Sequence, residues 1–300
     1  MKVIVLGRNG QLGQCLSEQL LAPQAPLGIE VQLFSRDECD LTNFQQVRRT
    51  FAQHKPDVVI NAAAYTAVDK AESEPAIADM LNHQAVKNLA GVCGEFDSVL
   101  VHISTDYVFD GASDAPYVES AETGPQSVYG KTKMLGERAI CKSGCKHLII
   151  RSAWIFSEHG ANFLKTMLRL GRERNHVSVV NDQLGTPTYA QDLANAIIKT
   201  LPRIARNECP WGIYHYAGGT VISWYEFAHE IFAAATTRDM QTPQEISALS
   251  TAEYPTAAPR PACSALSTTL FSQTFGVQAS DWHKGIQTTL AKISDQQADQ

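Results

Sequence analysis

Four short apolar runs, at residues 2–6, 30–34, 57–61 and 99–103, punctuate the first third of the chain. Each is too short for a buried helix and is rich in Val, Ile and Leu, as strands covered on both faces are. Helical periodicity separates them. Residues 12–21 form one such stretch and a second begins near Asn43. A third, opened by Pro75, carries apolar positions at Ile77, Met80, Leu81, Leu89 and Val92. Residues 128–140 follow with Met134, Leu135, Ala139 and Ile140 near a 3.6-residue period. Strand and helix in strict alternation predict an α/β fold with a parallel sheet and right-handed crossovers.

The second half continues with strands at 147–151, 177–180 and 213–216. An amphipathic helix over 162–172 carries Phe163, Met167, Leu168 and Leu170, and another after Gly185–Thr188 carries Leu193, Ala194, Ile197 and Ile198. Beyond Gly219 the pattern changes to helices and irregular loops. The architecture expected is a Rossmann-type doubly wound parallel sheet with a smaller mixed substrate-binding lobe. Residues 1–153 and 176–219 are assigned to the dinucleotide-binding domain, and 154–175 with 220–300 to the lobe. The polar tail from Ser294 to Gln300 is expected to fray.

Composition narrows the classes. Three hundred residues, 44% hydrophobic, supply ample core. A formal charge of −6 argues against nucleic acid or an anionic membrane as partner. No apolar run reaches the ~18 residues that span a bilayer. The chain opens directly on a strand, leaving no room for a signal peptide, so a cytoplasmic location is expected. Seven scattered cysteines suit reduced thiols in a cytosol. Cys141 and Cys145 lack a second pair of ligands and read as structural, so no protein metal site is assigned.

The chemistry gathers at strand ends. Gly7-Arg8-Asn9-Gly10-Gln11-Leu12-Gly13 follows the first strand and opens a helix. Glycines at 7, 10 and 13 permit a tight turn and close backbone approach, and the helix N-terminus offers free N–H groups to a pyrophosphate. The second strand ends in Phe34-Ser35-Arg36, and an arginine beside a hydroxyl suits a ribose 2′-phosphate, favouring NADP(H). Asp37 next door would take the acidic role of an NAD(H) site instead. Asp40-Leu41 stands where an adenine edge or a helix cap is needed. Ala62-Ala63-Ala64-Tyr65-Thr66 ends the third strand with small side chains that let a flat cofactor lie close. The charged stretch 67–72, with Val68 and Asp69, lines a substrate pocket or is a solvated loop. Ser104-Thr105-Asp106-Tyr107 tips the fourth strand. Tyr129 and Lys133, four residues apart, share one helix face. A free phenol ionises at about pH 10, and a nearby cation lowers that value, so the pair can serve as acid and base.

Together these residues resemble the extended short-chain dehydrogenase/reductase superfamily: the glycine turn, the alanine run, Ser104-Thr105, and Tyr129 with Lys133. Longer stretches resemble its dTDP-4-dehydrorhamnose reductase family: NAAAYTAVDKAESEP (61–75), STDYVFDG (104–111), VYGKTK (128–133), NFLKTMLRL (162–170), NDQLGTPT (181–188) and RP (260–261). The resemblance implies hydride transfer from a reduced nicotinamide to C4 of a 4-keto-6-deoxy sugar on dTDP. Tyr129 would be the proton donor, and Lys133 would tune it and hold the nicotinamide ribose. Thr105 would bind the reacting oxygen. It also implies substrate contacts from Asp69, Asp106, Tyr107, Asn162 and Arg260, the last suited to a diphosphate, and makes Trp154 a platform for sugar or base. Sugar-nucleotide dehydratases carry Thr-Asp-Glu where this chain has Thr105-Asp106-Tyr107, which favours reduction over dehydration. A non-catalytic rival exists, since the regulatory subunit of methionine adenosyltransferase resembles the same family. Some relatives are magnesium-assisted dimers held through acidic groups on the first and seventh helices. Here Cys15 and Gln191 stand at those places, and neither suits a hard cation. Monomer and homodimer both remain open, with a small nucleotide sugar as the partner expected.

Overall fold

The structure is a computed structural model that describes residues 1–23 and 28–298. Six strands form the main sheet: β1 (Lys2–Leu6), β2 (Glu30–Phe34), β3 (Val58–Asn61), β4 (Val99–Thr105), β5 (His147–Ser152) and β6 (Gly212–His215). All pairings are parallel, in the order β6-β5-β4-β3-β1-β2. Successive side chains leave a strand on opposite faces, which explains the unbroken apolar runs. Val3, Val5, Val101 and Ile150 join one core with α1 (Gln11–Leu20) and α8 (Ala190–Ala205). Ile4, Val59, Leu100 and Ile149 join the other with α2 (Phe44–His54) and α5 (Ala85–Glu95). The chain leaves β1 toward β2 and returns on the far side as β3. That reversal makes a switch point between β1 and β3, where open α/β sheets bind ligands beyond the strands' carboxyl ends.

Several local expectations change. The charged stretch taken as pocket wall or loop forms a short helix, α3 (Val68–Ser73). The helix opened by Pro75 runs as α4 (Pro75–Asp79), a π-helical turn (Met80–Gln84) and α5. The extra residue of a π turn re-phases a helix face. Ile77 and Met80, expected as apolar contacts, lie exposed, whereas Asn82 in the turn and Leu89 beyond it are fully buried. The helix bearing the tyrosine, α6 (Val128–Ser143), ends at Gly144 in the left-handed conformation.

The strand His176–Val180, assigned to the dinucleotide domain, pairs instead with Glu245–Leu249. Its Val177 and Val179 pack with Leu164 of α7 (Phe163–Glu173), Phe227 and Ile231 of α9 (Trp224–Thr236) and Ile286 of α11 (Trp282–Ala298). Conversely α10 (Thr269–Phe275), from the stretch assigned to the lobe, sends Phe271 into the core beneath the main sheet. The polar tail expected to fray continues α11 as far as Ala298, and residues 299 and 300 lie outside the described range. No helix among the described residues is long and apolar enough to cross a membrane.

Candidate active site

Three loops meet at the switch point. Gly7 has φ +89°, and a Cβ there would lie 2.8 Å from the Ala63 nitrogen. A Cβ on Gly13 would lie 2.1 Å from the Gly7 carbonyl oxygen. Only glycine lets α1 begin this close to β1 and the alanine run. The first turn of α1 has Gly10 at its N-cap, without a side-chain cap or an acidic residue, leaving its N–H groups to an anion. The Asn9 carbonyl accepts from Gln14 at 3.0 Å, and Leu12 is buried in the core. Gln11 ties the turn to the lobe, its Oε1 accepting from Ser157 Oγ (3.0 Å) and Asn162 Nδ2 (2.9 Å). Asn162 also caps α7, accepting from Lys165 N at 3.1 Å. Its amide is spent on protein partners, so it braces the two lobes in this structure.

At the end of β2 the Phe34 carbonyl accepts from both Gly7 N and Arg8 N, at 2.9 and 3.1 Å. Arg36 stands out in solvent, its side chain 82% exposed, 3.6 Å from Asp40. The acidic group nearest the strand tip is Glu38 rather than Asp37: it accepts from Ser35 N at 2.7 Å and meets Arg8 at 3.4 Å. The Ser35 amide holds its carboxyl below the usual range. Asp40 accepts from Thr42 N and Oγ1, and the cap of α2 is Asn43. Leu41 is core. Past Ala62, Ala63 and Ala64, the backbone of Tyr65 is clamped by buried Asn82, whose Oδ1 accepts from Tyr65 N (2.8 Å) while Nδ2 donates to Tyr65 O (3.0 Å). Thr66 is exposed beyond this clamp.

The start of α6 is fixed twice: Ser127 accepts from Gly130 N at 3.1 Å, and Glu72 of α3 accepts from Val128 N at 2.8 Å. These bonds satisfy orphan donors of the first turn. A Cβ on Gly130 would lie 2.1 Å from the Tyr107 carbonyl oxygen, so the helix presses on the turn after β4. Tyr129 is thereby buried, its ring edge-on to Tyr107 with centroids 5.6 Å apart, packed with Val68 and Tyr65. Burial raises the phenol above its ordinary pKa, Asp106 and Tyr107 add to the rise, and the neighbouring Thr105 opposes it. Thr105 Oγ1 donates to Asp106 Oδ1 at 2.9 Å.

Lys133 is buried and donates to the Ile103 carbonyl at 2.6 Å, with His102 Nε2 at 3.3 Å. Both of these contacts run to β4. A phenol kept protonated suits an acid that gives its proton to a developing alkoxide. Burial also pushes Asp106 up to about 6. An acid that is easier to protonate folded than unfolded makes stability fall as pH rises from about 4 to about 6, since the native state binds more protons there. Asp106→Asn is expected to remove that slope, so the variant's melting temperature gains on the native protein's between about pH 4 and about pH 6 and the difference stays constant above.

Asp69, Tyr107 and Arg260 come together from three segments. Arg260 donates to Tyr107 Oη at 2.9 Å and Asp69 Oδ2 at 2.7 Å, and Asp69 Oδ1 accepts from Ala258 N at 3.1 Å. The arginine is thus anchored on Tyr107, whose ring meets that of Tyr129. Trp154 lies apart, at φ +46°, its ring stacked 3.4 Å from that of Trp224 and against Gly185. Asn61 and Glu72 lie in the 61–75 stretch without an assigned role, and Asn82 and His102 lie outside the quoted stretches. The polar Asn61 and His102 inside apolar strand runs are the one sequence signal, because buried polar groups need partners.

The glycine turn follows β1, and the buried tyrosine and lysine lie on α6 against the end of β4. The model of the RmlD substrate binding domain family matches residues 1–294. The chain belongs to this family. It is 39% identical to dTDP-4-dehydrorhamnose reductase of Shigella flexneri, over 98% of each chain. It is 40% identical to that of Burkholderia thailandensis, covering 95% of this chain and 97% of the relative. Among solved structures, dTDP-4-dehydrorhamnose reductase of Bacillus anthracis in complex with NADP superposes with a TM-score of 0.89 at 35% identity, covering 97% of this chain and 99% of that one.

At the two places expected to bear the acidic groups of magnesium-assisted relatives stand Cys15 and Gln191. Cys15 is fully buried, with its thiol pushed up by burial, and Gln191 donates to Glu18. Glu18, Glu158 and His159 do cluster. The Lys292 ammonium sits on Glu158, and at 3.4 Å from Glu18, and offsets one of their two charges.

Proposed function

We propose that the protein reduces the C4 keto group of dTDP-4-dehydro-L-rhamnose to dTDP-L-rhamnose with NADPH, in the cytoplasm, as a step toward cell-surface polysaccharide precursors. The carrying observation is Tyr129, buried and kept protonated beside Thr105 at the mouth of the β1–β3 crevice, with Lys133 one turn along α6. The bound nicotinamide supplies hydride. Thr105 positions the reacting oxygen and stabilises the charge that develops on it. Tyr129 donates the proton. Gly7, Gly10 and Gly13 seat the pyrophosphate, and Lys133 holds the nicotinamide ribose. Asp69 and Tyr107 orient Arg260 toward the substrate diphosphate, where a guanidinium gains from paired hydrogen bonds.

The test is NADPH oxidation with dTDP-4-dehydro-L-rhamnose and determination of product configuration. Turnover yielding the L-rhamno product supports the reading. Turnover to another configuration assigns a different dTDP-4-keto-6-deoxy sugar. Tight NADPH binding without turnover supports the regulatory alternative.

Arg8 and Arg36 flank the end of β2 and support NADPH as the preferred cofactor, with NADH accepted because Glu38 offers a carboxylate to a ribose hydroxyl. Arg36→Ala is expected to weaken NADPH about tenfold and NADH little. Fluorescence titration of both cofactors checks this, and equal losses would remove Arg36 from recognition of the 2′-phosphate.

A further inference from the structure

Behind Lys133 runs a chain of buried polar groups that the proposed reaction does not use. Asn61 and His102 are register partners on β3 and β4 and fully buried, on the sheet face that α6 covers. The Ala63 backbone N–H donates to Asn61 Oδ1 at 3.1 Å. A backbone N–H can only donate, so this bond settles the amide's orientation. Asn61 Nδ2, a donor, then faces His102 Nδ1 at 3.1 Å. Nδ1 must accept, and a neutral imidazole accepting at one nitrogen carries its proton on the other. His102 Nε2–H is therefore what meets Lys133 Nζ at 3.3 Å. An ammonium has three donors and no lone pair. Only the free amine can accept from Nε2–H while donating to the Ile103 carbonyl.

We propose that Asn61 and His102 are positioning residues for Lys133, presenting an N–H to its nitrogen so that at mildly alkaline pH the free enzyme holds it as an uncharged amine and dinucleotide binding charges it. This rests on the dinucleotide reading given above. On binding, Nζ takes one proton from the buffer, releases Nε2–H, and turns its donors to the Ile103 carbonyl and the ligand's hydroxyls.

The surroundings favour this arrangement. Burial lowers Lys133 to about 8 against the pull of Glu137, and burial lowers His102 well below its ordinary value. Glu137 is itself engaged by Arg151, at 2.9 and 2.7 Å. The other titratable groups facing α6 are Asp106 and Tyr107 after β4, Glu72 of α3, and Asp79 and His83 of the helical run from Pro75. Asp79 pairs with His83 at 2.9 Å, and Glu72 accepts from the Val128 amide. Among the described residues, His102 and the Ile103 carbonyl are the hydrogen-bond partners of Nζ.

Two measurements on the unaltered protein decide the matter, and one variant isolates its cause. Long-range ¹H–¹⁵N spectra of ¹⁵N-histidine-labelled enzyme should show His102 neutral, with its proton on Nε2. A proton on Nδ1, or an imidazolium near neutral pH, would overturn the proposal. Calorimetry of NADP⁺ binding at pH 8.5, in buffers of different ionisation enthalpy, should report net proton uptake. Binding without uptake overturns it. Asn61→Asp keeps the acceptor for Ala63 N–H but makes the other oxygen accept from Nδ1–H, which turns the Nε2 lone pair toward Lys133. The amine is then charged before the ligand arrives and the uptake should vanish. Uptake equal to the native value would overturn the link to Asn61, and a merely structural pair would change affinity without changing proton uptake. Absence of any binding heat counts against the dinucleotide site itself, and the histidine tautomer then decides the present proposal.

Discussion

Tyr129→Phe is expected to lower turnover about 10²–10⁴-fold while leaving NADPH affinity nearly intact. The variant deletes one hydroxyl from a ring that keeps its contacts with Tyr107, Val68 and Tyr65. Nothing in that packing requires the oxygen, so the fold should hold. The loss is the proton donor beside Thr105. Because burial holds the phenol above its ordinary value, the native reductive rate should stay level through neutral pH, without a limb from Tyr129. Steady-state assays across pH 6–9, with NADPH binding followed by fluorescence, check both parts. Turnover equal to the native rate would remove Tyr129 from the mechanism.

Much of this site could be read from the chain because strand ends and glycines announce themselves. Gly7, Gly10 and Gly13 follow directly on an apolar run, and an i,i+4 tyrosine–lysine pair can only share a helix face. What stayed hidden depends on contacts distant in sequence. Asn82 clamps Tyr65 across 17 residues because a π turn swings it inward, and a 3.6-residue period cannot foresee that turn. The anchoring of Arg260 could not be read from a proline-flanked loop, since Asp69 reaches it from 191 residues away. The same holds for Lys133: spacing relates it to Tyr129, whereas its hydrogen bonds run to β4. The strand at 176–180 was assigned to the wrong sheet because its apolar pattern is that of any covered strand. Its partner at 245–249 lies beyond two helices.

The second large effect is expected from a single methyl group. Gly130→Ala places a Cβ 2.1 Å from the Tyr107 carbonyl oxygen and 3.1 Å from Pro125. Neither neighbour can yield cheaply. The Tyr107 carbonyl belongs to the 3₁₀ turn Asp106–Val108, pinned by Thr105 at its start and by Arg260 through the Tyr107 hydroxyl. The helix start is pinned by Ser127 and Glu72. Relief requires about an ångström of separation between α6 and the turn, and so carries Tyr129 away from Thr105. Overpacking of this kind costs about 1–3 kcal/mol of stability, and a catalytic displacement of about 1 Å costs on the order of 10²-fold in rate. Gly91→Ala on α5 is the control, because a Cβ there meets nothing within 4 Å. It should gain about 0.5–1 kcal/mol from helix propensity and leave turnover unchanged. Thermal melts and turnover of the two alanine variants therefore move in opposite directions if α6 is wedged against the turn after β4. Native turnover in Gly130→Ala would show that the tyrosine's placement does not depend on that close approach.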